Sequence, residues 1–117
     1  MPVSPGYRSF VLDQLEQITA VSSKSMFGGV GLYGDGCFFA LIADDRLYFK
    51  VDDSNRPDFE VAGMEPFGPF DDERSMQYYE VPIQVLEHVD DLRKWATNAI
   101  GVAKRAPLRT SRKKRAR

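Results

Sequence analysis

Residues 30–51 read VGLYGDGCFFALIADDRLYFKV, three apolar runs separated by two short polar turns. Gly34-Asp35-Gly36 separates the first two runs, and an Asp-Gly pair in this position predicts a tight hairpin because both central residues must accept a positive φ. Asp44-Asp45-Arg46 forms the second turn. The middle run is almost wholly apolar, as in a central strand, whereas residues 47–52 alternate as in a half-exposed strand. We therefore predict a meander of three or four antiparallel strands over residues 25–51.

Helical patterns lie on both sides of this meander. Ser4 and Pro5 have the character of an N-cap and a first helical residue. The spacing that follows predicts a helix over 5–18, and Asp90 is the expected N-cap of a second helix over 90–105. The apolar residues expected to face the core from these two helices are Tyr7, Phe10, Val11, Leu15, Ile18, Leu92, Trp95, Ala96, Ala99, Ile100 and Ala103.

The segment between the meander and the second helix has weaker signals. Residues 57–62 are compatible with one helical turn, 63–73 read as an exposed loop rich in Gly, Pro and acids, and 76–81 read as a further strand stopped by Pro82. The order helix, strand meander, strand, helix predicts an α+β fold, an antiparallel β-sheet meander flanked by N-terminal and C-terminal helices.

Length and composition narrow the class of protein. A chain of 117 residues with 43% hydrophobic and 28% charged residues is typical of one globular domain. No apolar run reaches the roughly 18 residues of a transmembrane helix, and the N-terminus has no secretory pattern. The single cysteine, Cys37, excludes an internal disulfide and favours a reducing compartment. We therefore expect a cytoplasmic protein without membrane association.

The formal net charge of −1 hides a strong asymmetry along the chain. Residues 104–117 read KRAPLRTSRKKRAR, with eight bases and no acid, whereas residues 1–103 hold the other eight bases against all 17 acids. The two parts therefore carry +8 and −9. The basic part has no apolar periodicity with which to pack. We predict a folded domain over 1–105 and a disordered basic tail over 106–117.

This basic segment is the strongest functional signal in the sequence. Clustered bases neutralise phosphates and release counterions, so with eight contacts the logarithm of the affinity for duplex DNA would fall with log salt at a slope of about −7. Two alternatives remain open: the tail only solubilises the protein, or it folds back on the acidic body and masks it. The predicted nucleic-acid-binding residues are Lys104, Arg105, Arg109, Arg112, Lys113, Lys114, Arg115 and Arg117.

Motifs for catalysis, cofactors and metals are weak. Residues 29–34 match G-x-G-x-x-G, but a dinucleotide site needs a helix after the third glycine, and a hairpin is predicted here instead. Glycines that permit turns and close backbone approach explain the motif better. His88 and Cys37 have no neighbouring ligands of the kind that zinc requires. We expect no enzyme activity, catalytic residue, cofactor or metal.

Several motifs in order resemble the N-terminal domain of the TfoX/Sxy family. They are SMFGGVGLY at 25–33, FALIAD at 39–44, LYFKVD at 47–52, NRPDF at 55–59 and AGMEPF at 62–67, followed by a strand before Pro82 and a closing helix. The resemblance covers about residues 7–105. Its motif positions, for which the family supplies no role, are Met26, Phe27, Gly28, Gly29, Gly31, Lys50, Asp52, Asn55 and Arg56.

The resemblance implies a function as well as a fold. Named family members are bacterial regulators of competence for DNA uptake that act on transcription with the cyclic-AMP receptor protein, and those members carry a second, helical domain. We expect a stand-alone regulatory or interaction module with the basic tail in place of that domain. Its expected partners are DNA or another polyanion, and a protein of the transcription machinery; a homodimer is compatible with the sequence. The alternative is a protein-binding adaptor that works through the sheet or the 63–73 loop.

Overall fold

The computed structural model describes residues 3–26, 28–67 and 77–105 and contains one antiparallel sheet with helices. Five strands follow one another in space in their chain order, β1 to β5. The α+β fold class is therefore confirmed. The elements are α1 (Pro5–Glu16), β1 (Val21–Met26), β2 (Gly29–Gly34), β3 (Cys37–Ala43), β4 (Arg46–Lys50), α2 (Arg56–Val61), β5 (Tyr78–Glu80), α3 (Ile83–Leu86) and α4 (Val89–Arg105).

Two-residue turns set the register of the three central strands. Asp35 and Gly36 have φ values of 52° and 77°, and Asp44 and Asp45 have φ values of 56° and 54°. Positive φ at both central residues is the geometry whose twist matches that of the flanking strands. The first turn pairs Gly34 with Cys37, as the sequence predicts, and the second pairs Ala43 with Arg46, so Arg46 belongs to β4 and not to the predicted turn. The apolar run 37–43 is the central strand of the sheet.

The helices bury the main core against one side of the sheet. The Ser4 hydroxyl accepts a hydrogen bond from the backbone N–H of Tyr7 at 3.3 Å, so the predicted N-cap of α1 is confirmed. The main core combines helical and strand residues, and its most deeply buried members include Val11, Leu15, Leu32, Phe39, Ile42, Phe49, Phe59, Leu92, Ala96 and Ala99.

Four details of the helices differ from the prediction. Phe10 is 38% exposed, because the buried stripe of α1 runs through Val11 and Leu15 instead. Trp95 is only half-buried at the edge of the core. Helix α4 begins at Val89, so Asp90 lies in its first turn and is not the N-cap. The short helix α3 follows Pro82 without having been predicted.

A second, smaller cluster covers part of the opposite side of the sheet. Tyr48 is only 8% exposed and its ring meets that of Phe67 edge to face at a centroid distance of 4.9 Å. The prediction of a half-exposed strand at 47–52 is therefore wrong, because β4 is buried on both sides.

The prediction of an exposed loop over 63–73 holds for most of its described part, since Gly63, Glu65 and Pro66 are exposed, but Phe67 is buried. The backbone N–H of Phe67 donates to the carbonyl of Tyr78 at 2.8 Å, and that of Glu80 donates to the carbonyl of Glu65 at 3.0 Å. The chain here runs beside β5 as a further strand would. Residues 68–73 of the predicted loop and Met76 of the predicted strand lie outside the described residues.

Gly29 shows why this sheet needs glycine at the start of β2. A Cβ placed on Gly29 would lie 2.6 Å from the backbone carbonyl oxygen of Ile42, a group that cannot move without shifting β3. We expect Gly29→Ala to lower the free energy of unfolding by about 1–3 kcal/mol through this overpacking. Urea denaturation followed by circular dichroism measures the change.

Gly6 provides the matched control for this prediction. It lies in the first turn of α1 with nothing within 4 Å of an added Cβ. Because alanine is the better helix former, Gly6→Ala should leave stability unchanged or raise it by up to about 1 kcal/mol. Equal effects of the two substitutions would contradict a close-packing role for Gly29.

Candidate functional site

The family motif positions fall into two groups at different places in the fold. Met26, Gly28, Gly29 and Gly31 lie on the hairpin between β1 and β2, at the edge of the sheet, where Met26 pairs with Gly29. A Cβ on Gly31 would meet the Met26 side chain at 2.6 Å. The methionine therefore packs over Gly31, and Gly29 and Gly31 serve close packing, whereas Gly28 has a positive φ of 80°. Phe27 lies outside the described residues.

The third glycine of the G-x-G-x-x-G match has a packing role too. Gly34 ends β2 and leads into the hairpin to β3, so no helix starts there to receive a pyrophosphate. A Cβ on Gly34 would lie 2.9 Å from the Cδ1 atom of Ile100. The glycine lets α4 approach the sheet. This geometry does not correspond to a dinucleotide-binding turn.

The second group runs from Lys50, the last residue of β4, to Arg56, the first residue of α2. The loop between them is organised by a buried asparagine. Asn55 is only 2% exposed, the single buried polar residue among those described. Its Oδ1 accepts from the backbone N–H of Asp52 at 2.9 Å, and its Nδ2 donates to the carbonyl of Lys50 at 3.1 Å. One side chain thus satisfies both a donor and an acceptor of the loop backbone, which fixes the loop conformation.

Asp52 is the side chain of this loop that faces helix α4. Its Oδ1 accepts from the backbone N–H of Ser54 at 2.8 Å and from the Ser54 hydroxyl. Its Oδ2 faces Arg105 of α4, with an N–O distance of 3.2 Å. The hydrogen bonds from Ser54, followed by those from Arg105, hold the pKa of the Asp52 carboxyl below its usual value. Asp52 is therefore an oriented anion at neutral pH.

The other two motif positions on this loop contact their neighbours. Arg56 forms an ion pair with Asp53, three residues earlier. The Lys50 ammonium lies 5.1 Å from the centre of the Tyr78 ring, within the range of a cation–π contact. Both bases are thus held by groups of the body.

An open groove separates this loop from helix α4. It has a volume of about 540 Å³ and mixes carboxylate, hydroxyl, amide and guanidinium groups. The Arg105 guanidinium bridges the groove, since it donates to both Asp52 and the Ser54 hydroxyl, the latter at 3.0 Å. The lining residues are Asp52, Asp53, Ser54, Thr97, Asn98, Gly101 and Arg105.

Two of the eight predicted nucleic-acid-binding bases lie in the described part of the chain, and both contact acids of the body. The Lys104 ammonium lies 2.8 Å from Asp35 Oδ2, in the hairpin between β2 and β3. Arg105 binds Asp52, as described above. Neither pairing is predictable from local sequence, because each acid lies more than fifty residues away from its base. The other six bases, and the predicted disordered tail over 106–117, lie outside the described residues.

The residues that we weighed for catalysis or metal binding contact local backbone. The Cys37 thiol lies 3.7 Å from the carbonyl oxygen of Asp35, and His88 Nδ1 lies 2.7 Å from that of Gln84. Within residues 3–26, 28–67 and 77–105 there is no group of three or more His, Cys, Asp or Glu side chains placed to hold a metal ion. The same ranges contain no helix of the length and apolarity that spanning a bilayer requires.

The fold is that of an α+β domain with a five-stranded antiparallel meander and helices on one side. A glycine hairpin lies at one edge of the sheet, and Asn55 organises the loop after β4. The family model of the TfoX N-terminal domain matches residues 13–103, so the chain belongs to that family. The chain is also similar to the DNA transformation protein TfoX1 of Aliivibrio fischeri (strain ATCC 700601 / ES114), with 36% identity over 53 residues. That match covers 45% of this chain and only 25% of the relative.

Proposed function

We propose that this protein is a non-enzymatic, cytoplasmic regulatory module linked to bacterial competence for DNA uptake, and that its basic segment binds the phosphate backbone of DNA. Membership of the TfoX N-terminal domain family and the similarity to a DNA transformation protein support the regulatory part. In this proposal the protein regulates transcription together with a protein partner. The chain matches only a quarter of that relative, so these roles are proposed for it as a module.

The observation that carries the DNA-binding part is the charge split. Residues 104–117 carry +8, and the body that precedes them carries −9. Because the body repels DNA, attraction has to come from the basic segment. Such binding is independent of base sequence, since phosphate contacts position a protein but do not read bases. The segment has no aromatic residue for stacking on bases.

The test is a salt-dependent anisotropy measurement with a labelled duplex. In a full-length variant, Arg109, Arg112, Lys113, Lys114, Arg115 and Arg117 are all replaced by Gln. Because counterion release drives this binding, the variant should lose at least about tenfold in affinity at 50 mM salt and most of its salt dependence. A matched control replaces six other charged side chains, the acids Asp13, Glu16, Asp58, Glu60, Glu87 and Asp91, by their amides.

The control changes the number of charges by six in the opposite direction and should bind more tightly, because the body then repels DNA less. Absence of salt-dependent binding by the unmodified chain would contradict the proposal. Equal affinities of the unmodified chain and the Gln variant would contradict the assignment to the tail.

A second candidate function is a protein-binding adaptor, and one observation favours it. The cluster of Tyr48, Phe67, Tyr78 and Leu41 on the second side of the sheet contains no helical residue among those described. Phe38 extends it, with ring centroids 5.8 Å from Tyr78 and 5.3 Å from Tyr33. The rings of Tyr33, Phe38 and Tyr78 are half-buried, and partly exposed aromatic rings suit a protein partner. This function requires no DNA binding, so the anisotropy measurement separates the two candidates.

A further inference from the structure

Eight bases occur in the segment 104–117, but the first two are already paired with acids of the body. Lys104 contacts Asp35 at 2.8 Å, and Arg105 contacts Asp52 at 3.2 Å. The two acids lie on different loops, one between β2 and β3 and the other between β4 and α2. They therefore hold the end of α4 from two directions.

The acceptor for Arg105 is also held in place by groups of its own loop. Asn55 fixes the backbone N–H of Asp52, and Ser54 occupies Asp52 Oδ1, which leaves Oδ2 directed at the guanidinium. The Ser54 hydroxyl accepts a second hydrogen bond from the same Arg105 nitrogen. A pre-oriented carboxylate loses little conformational freedom on pairing, which strengthens an otherwise weak surface ion pair.

We propose that Asp35 and Asp52 act as built-in counterions that withhold Lys104 and Arg105 from a bound polyanion, so that six of the eight bases determine its affinity. This inference rests on the proposed function for its natural ligand, DNA, but it applies to any polyanion. Six phosphate contacts give a salt slope of about −5, whereas eight contacts give about −7. The acids of the body thereby limit the affinity of the basic segment for a polyanion.

The first test compares two full-length variants that lose the same two charges. Lys104→Gln with Arg105→Gln removes the paired bases, and Lys113→Gln with Lys114→Gln removes two others. The first variant should keep the slope of the unmodified chain, and the second should lessen it by about 2. Equal losses in the two variants would overturn the proposal.

The second test releases the bases instead of removing them. In Asp35→Asn with Asp52→Asn, the amide oxygen at position 52 still accepts from Ser54, so the loop is preserved. The slope should steepen by about 2, and the affinity at low salt should rise by at least about threefold beyond that of a control. The control, Asp13→Asn with Asp44→Asn, removes two exposed acids for which the described contacts show no cationic partner. The same slope in both variants would overturn the proposal.

The probes are a labelled duplex, followed by anisotropy, and inorganic polyphosphate, followed by calorimetry. If the unmodified chain binds polyphosphate but not the duplex, the DNA function fails, and the comparisons above still decide the inference. If it binds the duplex and the paired variants behave alike, only the inference fails. Failure to bind either polyanion overturns both.

Discussion

Replacing Phe59 with Ala should lower the free energy of unfolding by about 3–5 kcal/mol, the usual cost of removing a fully buried aromatic ring. Phe59 is 1% exposed and is the buried residue of helix α2. Its ring meets that of Trp95 edge to face, with a centroid distance of 4.7 Å, and lies 6.0 Å from that of Tyr79. One side chain therefore ties α2 to both α4 and β5.

The measurement is urea denaturation followed by circular dichroism, with the fluorescence of Trp95, the single tryptophan, as a second probe. Its emission should shift to longer wavelength in the folded variant, because the cavity left by Phe59 admits water beside the indole. Val61 on the same helix is 90% exposed and serves as the control. Val61→Ala should change stability by less than about 0.5 kcal/mol, and a comparable loss at both positions would contradict the role assigned to Phe59.

The central part of the fold is predictable from local sequence because its signals are local. An Asp-Gly pair specifies a two-residue turn, the polar residues Asp44-Asp45-Arg46 mark a second turn, and the apolar run between the turns specifies a central strand. Strand β1, with the sequence VSSKSM, is less visible, because it is mostly polar and lies at the sheet edge. The predicted meander therefore begins at residue 25 although β1 begins at Val21.

Errors arise where a residue's environment is supplied by a distant part of the chain. Tyr48 alternates as an outward-facing residue would, yet it is buried because Phe67, nineteen positions later, packs on its ring. Phe10 shows the reverse: its spacing fits the apolar stripe of α1, but α1 packs through Val11 and Leu15. Periodicity identifies a face of an element but does not identify what covers it.

The candidate site was predictable only in its parts. The family resemblance indicated Asp52 and Asn55 without giving them roles, and the charge count indicated Lys104 and Arg105 as the first bases of a DNA-binding segment. That Asp52 and Arg105, 53 positions apart, form one ion pair is a property of the tertiary fold. Attraction between the basic segment and the acidic body is one of the alternatives that the charge split leaves open, and the structure shows Asp35 and Asp52 paired with the first two bases.

Removing the amide of Asn55 should have the second largest effect on stability. In Asn55→Ala, the carbonyl of Lys50 and the N–H of Asp52 each lose the hydrogen bond that the Asn55 amide makes to them. Unsatisfied buried polar groups cost about 1–3 kcal/mol each, and partial access to water reduces the sum, so we expect a loss of about 2–4 kcal/mol. Denaturation in urea gives this value directly.

Asn55→Ala should also affect the Asp52 carboxylate, because Asn55 holds the loop that carries Asp52. Without the amide, the backbone of Asp52 is no longer fixed, so its carboxylate spends less time directed at Arg105. Hydrogen bonds from Ser54 and Arg105 lower the pKa of the Asp52 carboxyl. In Asn55→Ala these bonds form less often, so this pKa should move up towards its usual value. Titration of the carboxyl carbon by NMR measures this change.

Asn98 provides the control for Asn55, since it is an exposed asparagine of α4 on the same groove. Asn98→Ala should leave stability unchanged or raise it slightly, because alanine is the better helix former, and it should leave the pKa of Asp52 unchanged. Loss of stability in Asn55→Ala without a change in the Asp52 pKa would confine Asn55 to a structural role. A change in both properties would show that one buried amide supports both the loop and the anion that it presents to α4.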